Sequence, residues 1–406
     1  MFKPVPSKVN FPEMEERILA LWRERDVFRR SVEERPPDRL FVFYEGPPTA
    51  NASPVVHHDL SRVFKDVIPR FRTMRGYRVP RKAGWDTHGL PVELEVERDL
   101  GLKSKPDIER FGVEEFNRRC RESVVRYVRE WEALTDRIAF WLDTENPYQT
   151  FDNSYIETGW WIIKRLWDGG LIFQDYRSAP HCPRCGTTLS DAEVAQGYQE
   201  DTPDPSIYVK FRLRAEERAD PVLRLGEGVP TYILAWTTTP WTLPGNTALA
   251  VAPDEPYVLA EVSGERGRER FVLAVSLLNE SVPGEKQALA EFPGRVLVGF
   301  TYEPLYEPTD WGMPAMRFQE GRLAPLPDGE AGSVPRPVIA APFVSMTDGT
   351  GVVHIAPAFG ADDFEIGKQE GLLYLQPVDL RGQMVAKGTP FDGLFVKDAD
   401  PLVLED

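Results

Sequence analysis

Cysteine is scarce in this chain, and its scarcity excludes a fold built on disulfides. Only three cysteines occur in 406 residues, two of them in the segment Cys182-Pro-Arg-Cys185. This spacing is typical of a metal-binding turn in a reducing compartment rather than of a disulfide framework. The third, Cys120, falls in a polar segment that we predict to be helical, and we expect no chemistry from it.

Long hydrophobic runs and an excess of basic residues are also missing. No run approaches the roughly 20 apolar residues of a membrane helix, and the first residues lack the apolar core of a signal peptide. We therefore expect a cytoplasmic protein that does not enter membranes. The 48 Lys and Arg against 64 Asp and Glu give a net charge of −16, which argues against a general nucleic-acid binder.

One local concentration of basic side chains interrupts this acidic background. It comprises Arg62, Lys65, Arg70, Arg72, Arg75, Arg78, Arg81 and Lys82. Their spacing favours a solvated helix face with neighbouring strand residues over a binding site for a polyanion.

The length and the hydrophobic pattern predict two or more compact domains, the first of them α/β. Helices are predicted near residues 11–26, 59–75, 113–134 and 155–168, and strands near residues 40–44 and 79–83. In α/β sheets ligands bind beyond the carboxyl ends of the strands, so the loops after Tyr44 and Gly84 are expected to share one pocket.

After a boundary predicted between residues 196 and 205, the pattern becomes rich in strands. Strands are predicted near residues 206–213, 231–236, 249–251, 257–262 and 295–298, whereas residues 318–337 read as an exposed loop.

Three polar motifs stand out. His57 and His58 precede the helix predicted at residue 59, where imidazoles and unpaired N–H groups would suit a phosphate. The alternative is a surface pair or an accidental metal site.

Asp86, in Gly-Trp-Asp-Thr-His-Gly, would suit an ammonium group. The alternative is an Asx turn or a helix cap. The third motif is a cluster of threonine hydroxyls, which would bind a ribose or position a water molecule; the alternative is that they form hydrogen bonds with the backbone of a turn. The cluster comprises Thr237, Thr238, Thr239 and Thr242.

Taken together, the segments YEGPPTAN, GWDTHGLPVE, CPRCGTTLS, AWTTTPWTLPGNTALAV and GTGVVHIAPAFGADD resemble class I aminoacyl-tRNA synthetases, in particular the isoleucyl enzymes. The resemblance implies that residues 1–200 begin a Rossmann-type catalytic domain and that residues 203–393 form an inserted β-rich editing domain. It also implies that residues 394–406 return toward the catalytic domain. The family's K-M-S-K-S loop and helical anticodon-binding region have no counterpart in this sequence, so we expect an N-terminal portion of such an enzyme.

The resemblance assigns roles at the first site. The family motif H-x-G-H reads Val55-Val56-His57-His58 here, and we expect His57 to replace the first histidine beside the ATP phosphates while His58 keeps its place. Asp86 matches the residue that binds the substrate ammonium, Pro47 matches one that lines the side-chain pocket, and Asn51 lies in the same loop. The implied small molecules are isoleucine, valine and ATP with Mg²⁺.

At the second site the resemblance concerns the threonines together with Asn246, His354 and Asp363. It implies that Asp363 holds the α-amino group of a misacylated residue and that Thr239 limits the side-chain size. His354 and the threonines would shape the pocket and bind the terminal adenosine of tRNA(Ile). Such a second sieve has a physical reason, because one missing methylene is worth only about 1–3 kcal/mol in a binding pocket; the isoleucyl enzyme is itself the standard example.

The pair Cys182 and Cys185 matches half of a zinc site whose second Cys pair, in the family, follows the insertion. The alternative is a knuckle-like turn with two free thiols. For the chain as a whole three functions are considered: an isoleucine–tRNA ligase, expected to be a monomer, a stand-alone hydrolase of valyl-tRNA(Ile), and a non-catalytic tRNA-binding paralogue.

Overall fold

The computed structural model describes residues 8–197, 199–214, 228–264, 267–327 and 329–406. The chain divides into two compact units, Met1–Phe173 and Gln174–Asp406. The functional ranges 1–200, 203–393 and 394–406 remain predictions. Within the described residues no helix is long and apolar enough to cross a membrane.

The first unit alternates strands and helices. The helices are α1 (Phe11–Glu24), α2 (Val27–Glu33), α3 (Val56–Met74), α4 (Leu90–Leu100), α5 (Lys105–Phe111), α6 (Val113–Arg137) and α7 (Asn153–Asp168). The strands are β1 (Phe43–Tyr44), β2 (Arg81–Trp85) and β3 (Asp143–Gln149). The predicted helices and strands of this unit are present, but α3 begins three residues earlier than expected, so that both histidines lie in its first turn.

The three strands of the first unit form one parallel sheet in the order β1-β2-β3. Phe43 pairs with Arg81, and Lys82 pairs with Asp143. Because each connection between parallel strands must cross back over the sheet, α3 and then α4 to α6 occupy the connections. All three carboxyl ends consequently lie at one edge of the sheet, which confirms the α/β class.

The basic stretch is partly buried, and the predicted solvated face is wrong for two of its members. Arg62 is 1% exposed, its Nη1 donates to Thr135 Oγ1 at 2.8 Å, and its guanidinium lies 5.1 Å from the ring centre of Trp131. Arg81 is 2% exposed and forms an ion pair of 3.0 Å with Asp66. Burial lowers the pKa of both guanidinium groups, that of Arg81 to about 10. Arg81 ties β2 to α3, and Arg62 ties α3 to α6, because a buried cation must find partners within the protein.

Gly84 marks a close approach between two strands. It is paired with Tyr148 on β3, and a Cβ atom at Gly84 would lie 2.1 Å from Cζ of that ring. The Tyr148 hydroxyl donates to the backbone oxygen of Glu45, so the ring bridges the carboxyl ends of β1, β2 and β3.

The second unit is built mainly from strands. They are β4 (His181–Cys182), β5 (Thr187–Thr188), β6 (Ile207–Arg212), β7 (Thr231–Thr237), β8 (Ala248–Val251), β9 (Pro256–Gly264), β10 (Gly267–Ala274), β11 (Lys286–Pro293), β12 (Met316–Gln319), β13 (Arg322–Pro325), β14 (Val338–Ala340), β15 (Val352–Ile355) and β16 (Leu373–Tyr374). The helices are α8 (Asp191–Gln196), α9 (Leu278–Ser281), α10 (Ala361–Glu370) and α11 (Val396–Glu405).

Its strands form a five-stranded sheet in the order β11-β9-β10-β7-β6, two three-stranded sheets, β14-β8-β15 and β13-β12-β16, and the β4–β5 hairpin. The largest core cluster joins the five-stranded sheet to β8 and includes Phe211, Ile233, Leu249, Leu259 and Tyr302, each at most 1% exposed. The β-rich character predicted for this half is therefore confirmed.

Two predictions in this half are wrong in detail. The strand predicted at residues 295–298 is replaced by a short 3₁₀ helix, Gly294–Val296, because the Gly294 and Arg295 N–H groups donate back to Glu255 and Pro253. The loop predicted at residues 318–337 contains a hairpin between β12 and β13. Its two-residue turn, Glu320-Gly321, has positive φ at both positions, which is the backbone that a tight hairpin requires.

Replacing Gly84 by alanine is expected to lower the free energy of unfolding by about 1–3 kcal/mol, because the new methyl group overlaps the Tyr148 ring. Gly159→Ala is the matched control: it lies within α7 with no heavy atom within 4 Å of its Cβ position, so alanine is expected to be neutral or to stabilise by about 0.5–1 kcal/mol. Urea unfolding followed by tryptophan fluorescence measures both. Equal stabilities of the two variants would contradict the close approach.

Candidate functional sites

The first site lies in the first unit, where the loops that follow β1, β2 and β3 meet. The Asp86 carboxylate accepts hydrogen bonds from Thr49 Oγ1 at 2.9 Å and from Thr150 Oγ1 at 3.3 Å. These three residues come from the three different loops. Asp86 itself is half-buried, so part of the residue remains accessible to solvent.

The backbone ties the same loops together. The Ala50 N–H donates to the oxygen of Asp86 at 2.8 Å, and the Asp86 N–H donates to the oxygen of Pro48 at 3.0 Å. Pro47 and Asn51, which flank this pairing, are half-buried. The structure thus brings the predicted residues Pro47, Asn51 and Asp86 into one region, as the parallel strands led us to expect.

The two histidines occupy the first turn of α3. The Nδ1 atom of His58 accepts a hydrogen bond from the Val55 N–H at 2.9 Å, which places the proton of the neutral ring on Nε2. Burial, and then the neighbouring His57 and Arg62, lower the pKa of His58. His58 therefore presents a neutral N–H donor, while the exposed ring of His57 lies with its centre 4.0 Å away.

Residues that the sequence pattern did not indicate support this site. Thr49 and Thr150 hold Asp86, and the buried Glu45 forms an ion pair of 2.6 Å with Lys65 of α3. Glu45 and Thr150 lie directly after strands β1 and β3, and Thr49 lies a few residues after β1. Polar residues at that position are the signal that would have found them.

The second site lies in the second unit, at the turn that follows β7. Thr237 Oγ1 is 3.2 Å from Thr239 Oγ1 and accepts a bond of 3.1 Å from the Thr239 N–H. Thr242 Oγ1 donates to the backbone oxygen of Thr239 at 2.8 Å. Thr238 is exposed. Three of the four predicted threonines therefore form one bonded turn, and Thr238 faces solvent beside it.

His354 and Asn246 lie behind this turn and are buried. The Nε2 atom of His354 is 2.8 Å from Thr242 Oγ1, and its Nδ1 atom is 3.2 Å from the Asn246 amide nitrogen. Burial lowers the pKa of His354 to about 4. With both ring nitrogens bonded inside the protein, His354 is placed to hold the turn and not to take a proton from water.

Asp363 lies in the first turn of α10. Its Oδ1 accepts the Ala356 N–H at 2.7 Å, and burial raises the pKa of this half-buried carboxyl. The loop before α10 packs on the threonine turn, since the ring of Phe359 lies 5.0 Å from that of Trp241. Asp363 is thereby connected to the same region as the threonines and His354.

A further residue missed from the sequence anchors the threonine turn. Asp400 on α11 is 2% exposed, and its Oδ1 accepts the Trp241 N–H at 2.9 Å. The carboxylate therefore caps the 3₁₀ helix Pro240–Gly245, which contains Thr242.

The cysteine pair lies on the β4–β5 hairpin. Both thiols are free, and the Cys185 N–H points to Cys182 Sγ at 3.4 Å, as in a metal-binding knuckle. A structural zinc site needs four ligands, and among the residues described no group of three or more His, Cys, Asp or Glu side chains is arranged to hold a metal. The described residues thus supply two ligands and do not by themselves fit zinc.

In the first unit a three-stranded parallel sheet has a helix N-terminus and an Asp-bearing loop at the carboxyl ends of its strands, an arrangement that suits nucleotide binding. Residues 17–356 match the family described as tRNA synthetases class I (I, L, M and V), and the chain belongs to this family.

Curated relatives of high similarity include isoleucine–tRNA ligases. The protein of Dehalococcoides mccartyi is 50% identical over 404 residues, which cover 98% of this chain and 39% of the relative. That of Thermus thermophilus is 46% identical over 406 residues, which cover 100% of this chain and 35% of the relative. The chain thus spans somewhat more than a third of the length of these relatives.

Solved structures give a weaker likeness. A leucyl-tRNA synthetase editing domain of P. falciparum is 10% identical with a TM-score of 0.35, covering 49% of this chain and 95% of that domain. The sequence resemblance to isoleucyl enzymes is confirmed by the family match and by the curated relatives.

The low pKa of His354 predicts a specific loss of stability in mild acid. In the unfolded state the imidazole of His354 binds a proton below about pH 6.5, whereas in the folded state it does so only below about pH 4. The free energy of unfolding therefore falls as the pH drops through this window, by up to about 1.4 kcal/mol per pH unit. Urea unfolding between pH 4 and 7 should show this component in the wild type and in His88→Gln, a surface control, but not in His354→Gln. Identical profiles for the three proteins would contradict the buried neutral imidazole.

Proposed function

We propose that the whole protein is an isoleucine–tRNA ligase, which activates isoleucine with ATP, transfers it to tRNA(Ile) and hydrolyses valyl products. The observation that carries the proposal is the Asp86 carboxylate, which is held by Thr49 and Thr150 at the meeting point of three loops. Both described hydrogen bonds to it come from hydroxyl groups. An α-ammonium group would supply the missing opposite charge, in a charge-assisted hydrogen bond.

Activation would use this site together with the first turn of α3. With its ammonium on Asp86, the substrate carboxylate attacks the α-phosphorus of ATP, and pyrophosphate leaves. The helix N-terminus favours the phosphate charge, and the neutral His58 Nε2–H donates to a phosphate oxygen. His57, exposed beside it, is the second donor in this proposal. Mg²⁺ would be held mainly by the phosphates of the nucleotide, as is usual for this ion.

Editing would use the second site. The ammonium of a valyl residue, esterified to tRNA(Ile), pairs with Asp363, and the hydroxyl of Thr239 limits the space for its side chain. The threonine turn and its loop position the terminal adenosine. A water molecule attacks the ester carbonyl, and the alcohol of the ribose leaves. His354 holds Thr242 in place, and we assign no general base.

A second function, hydrolysis of valyl-tRNA(Ile) by this chain alone, is favoured by one observation. The residues proposed for editing all lie in the second unit, where they are joined by hydrogen bonds and by packing. The third alternative, a non-catalytic tRNA-binding paralogue, has no comparable support. In all three functions the macromolecular partner is tRNA(Ile). We also propose that the protein is monomeric and cytoplasmic, and that Cys182 and Cys185 contribute two of the four ligands of a zinc site.

Asp86→Asn is expected to weaken binding of a non-hydrolysable isoleucyl-adenylate analogue by about 10- to 100-fold, because the ammonium loses a charged acceptor while the site keeps its shape. Calorimetric titration of the 406-residue chain measures the affinity. Asp99→Asn, on the exposed side of α4, is the matched control and should bind as the wild type does. Unchanged affinity in Asp86→Asn would remove the main support for the proposed activation site.

Asp363→Asn is expected to slow deacylation of valyl-tRNA(Ile) at least tenfold, since the amide keeps an acceptor for the Ala356 N–H but loses the charge that pairs with the substrate ammonium. Its exposed neighbour provides the control: Asp362→Asn should stay within about twofold of the wild type. The readout is release of labelled valine. Deacylation by neither the wild type nor the variants would favour the tRNA-binding paralogue.

A further inference from the structure

Part of the basic stretch lies at the surface of the first unit and takes no part in the reactions proposed above. Arg72 lies in the last turn of α3, Arg75 follows its end, and Arg39 precedes β1. Arg39 and Arg75 are exposed, and Arg72 is half-buried. The Tyr77 N–H donates to the Arg72 oxygen at 3.1 Å, and the Arg78 N–H donates to the Arg39 oxygen at 2.9 Å. The turn after α3 therefore brings two separate segments of the chain together.

Two of these arginines lie against the ring of Tyr77. The guanidinium carbon of Arg39 is 4.6 Å from the ring centre, and that of Arg72 is 5.2 Å from it. The two cations are thus within about 10 Å of each other, which is no more than a Debye length at about 0.1 M salt. A hydrogen bond with Arg39, and then the charges of Arg39 and Arg72, lower the pKa of Tyr77. The electrostatic potential around this ring is therefore positive.

These cations have no counter-ion from the protein. Acidic side chains are plentiful, with 64 Asp and Glu against 48 Lys and Arg, and on α6 Arg118 and Arg119 both pair with Glu115. Within the part of the chain that the structure describes, no Asp or Glu oxygen lies within 4.0 Å of a guanidinium nitrogen of Arg39, Arg72 or Arg75. We call these three residues the arginine cluster.

Two ordinary roles explain single members of the arginine cluster but not its unpaired charge. Basic side chains at the end of a helix complement the helix dipole, which suits Arg72 and Arg75 but not Arg39. Packing on an aromatic ring stabilises Arg39 and Arg72, but it uses the face of the guanidinium group and leaves N–H donors at its edge. Such donors match the oxygens of phosphate groups, with which arginine forms charge-assisted hydrogen bonds.

We propose that the arginine cluster binds the phosphate backbone of tRNA. The occupant follows from charge: with a net charge of −16, most of the chain repels a polyanion, which is attracted where unpaired cations are concentrated. RNA is the polyanion that the proposed function requires, and the inference rests on that partner. Contacts to phosphates carry no sequence information, so this surface adds affinity for tRNA in general and does not select among tRNAs.

The double variant Arg39→Gln/Arg72→Gln of the 406-residue chain is expected to raise the Kd for unacylated tRNA(Ile) about tenfold at about 0.1 M salt. The slope of log affinity against log salt concentration should become shallower by about two, because each lost phosphate contact changes it by about one. Fluorescence anisotropy of labelled tRNA(Ile), titrated at several salt concentrations, measures both quantities. A non-cognate tRNA should lose affinity by the same factor.

Two control variants separate the local contact from net charge and from folding. Arg118→Gln/Arg119→Gln removes the same charge from the surface of α6, where both arginines are ion-paired, and should bind tRNA(Ile) within about twofold of the wild type. Arg39→Lys/Arg72→Lys keeps the two charges and should keep the wild-type salt slope. All variants should bind the isoleucyl-adenylate analogue as the wild type does, since the first site is unchanged.

An unchanged salt slope in the glutamine variant overturns the inference, and so does an equal loss of affinity in the α6 control or in the lysine variant. Loss of affinity for poly-glutamate but not for tRNA would assign the surface to an acidic protein partner instead. If the wild type does not bind tRNA(Ile) at all, the proposed partner fails together with this inference. If the wild type binds and the glutamine variant binds equally well, the inference alone fails.

Discussion

Two backbone hydrogen bonds between Asp86 and the loop after β1 hold the first site together. They join residues 48 and 50 to residue 86, and they require β1 and β2 to be parallel neighbours with their carboxyl ends at one edge. Thr49 then faces the carboxylate, Thr150 reaches it from the next strand, and α3 follows with its N-terminus at the same edge. The chemistry proposed here needs little more than this pairing and the residue types it brings together.

The second site obeys a different constraint, which is the cost of burying polar groups. Asn246 and His354 lie within a strand-rich core where water does not reach, so each of their nitrogen and oxygen atoms needs a partner from the protein. The hydrogen bonds of these two residues meet that requirement. The arrangement therefore has one low-energy form, whereas a partly satisfied network would permit several.

Much of this was accessible from the sequence, because the motif residues follow strands whose pattern is clear. Asp86 pairs with the loop after β1, as the sequence led us to expect, and the histidines begin the helix that follows this loop. Burial of Arg62 was not accessible, since the spacing of basic residues along a helix does not reveal the aromatic rings, Trp131 among them, that pack on it from a distant segment. The same holds for the strand predicted near residue 295, where hydrogen bonds from the Gly294 and Arg295 N–H groups to the backbone of residues 253 and 255 produce a 3₁₀ helix instead.

The hydrogen bond from Trp241 to Asp400 connects residues 159 positions apart. Contacts of such long sequence separation close late, because the intervening chain must first be ordered. During synthesis the threonine turn therefore cannot acquire its cap until residue 400 has emerged from the ribosome, after the sheets of the second unit have been translated. An immature chain would carry the threonines without the helix that holds them, so the second site matures as one of the last features of its unit.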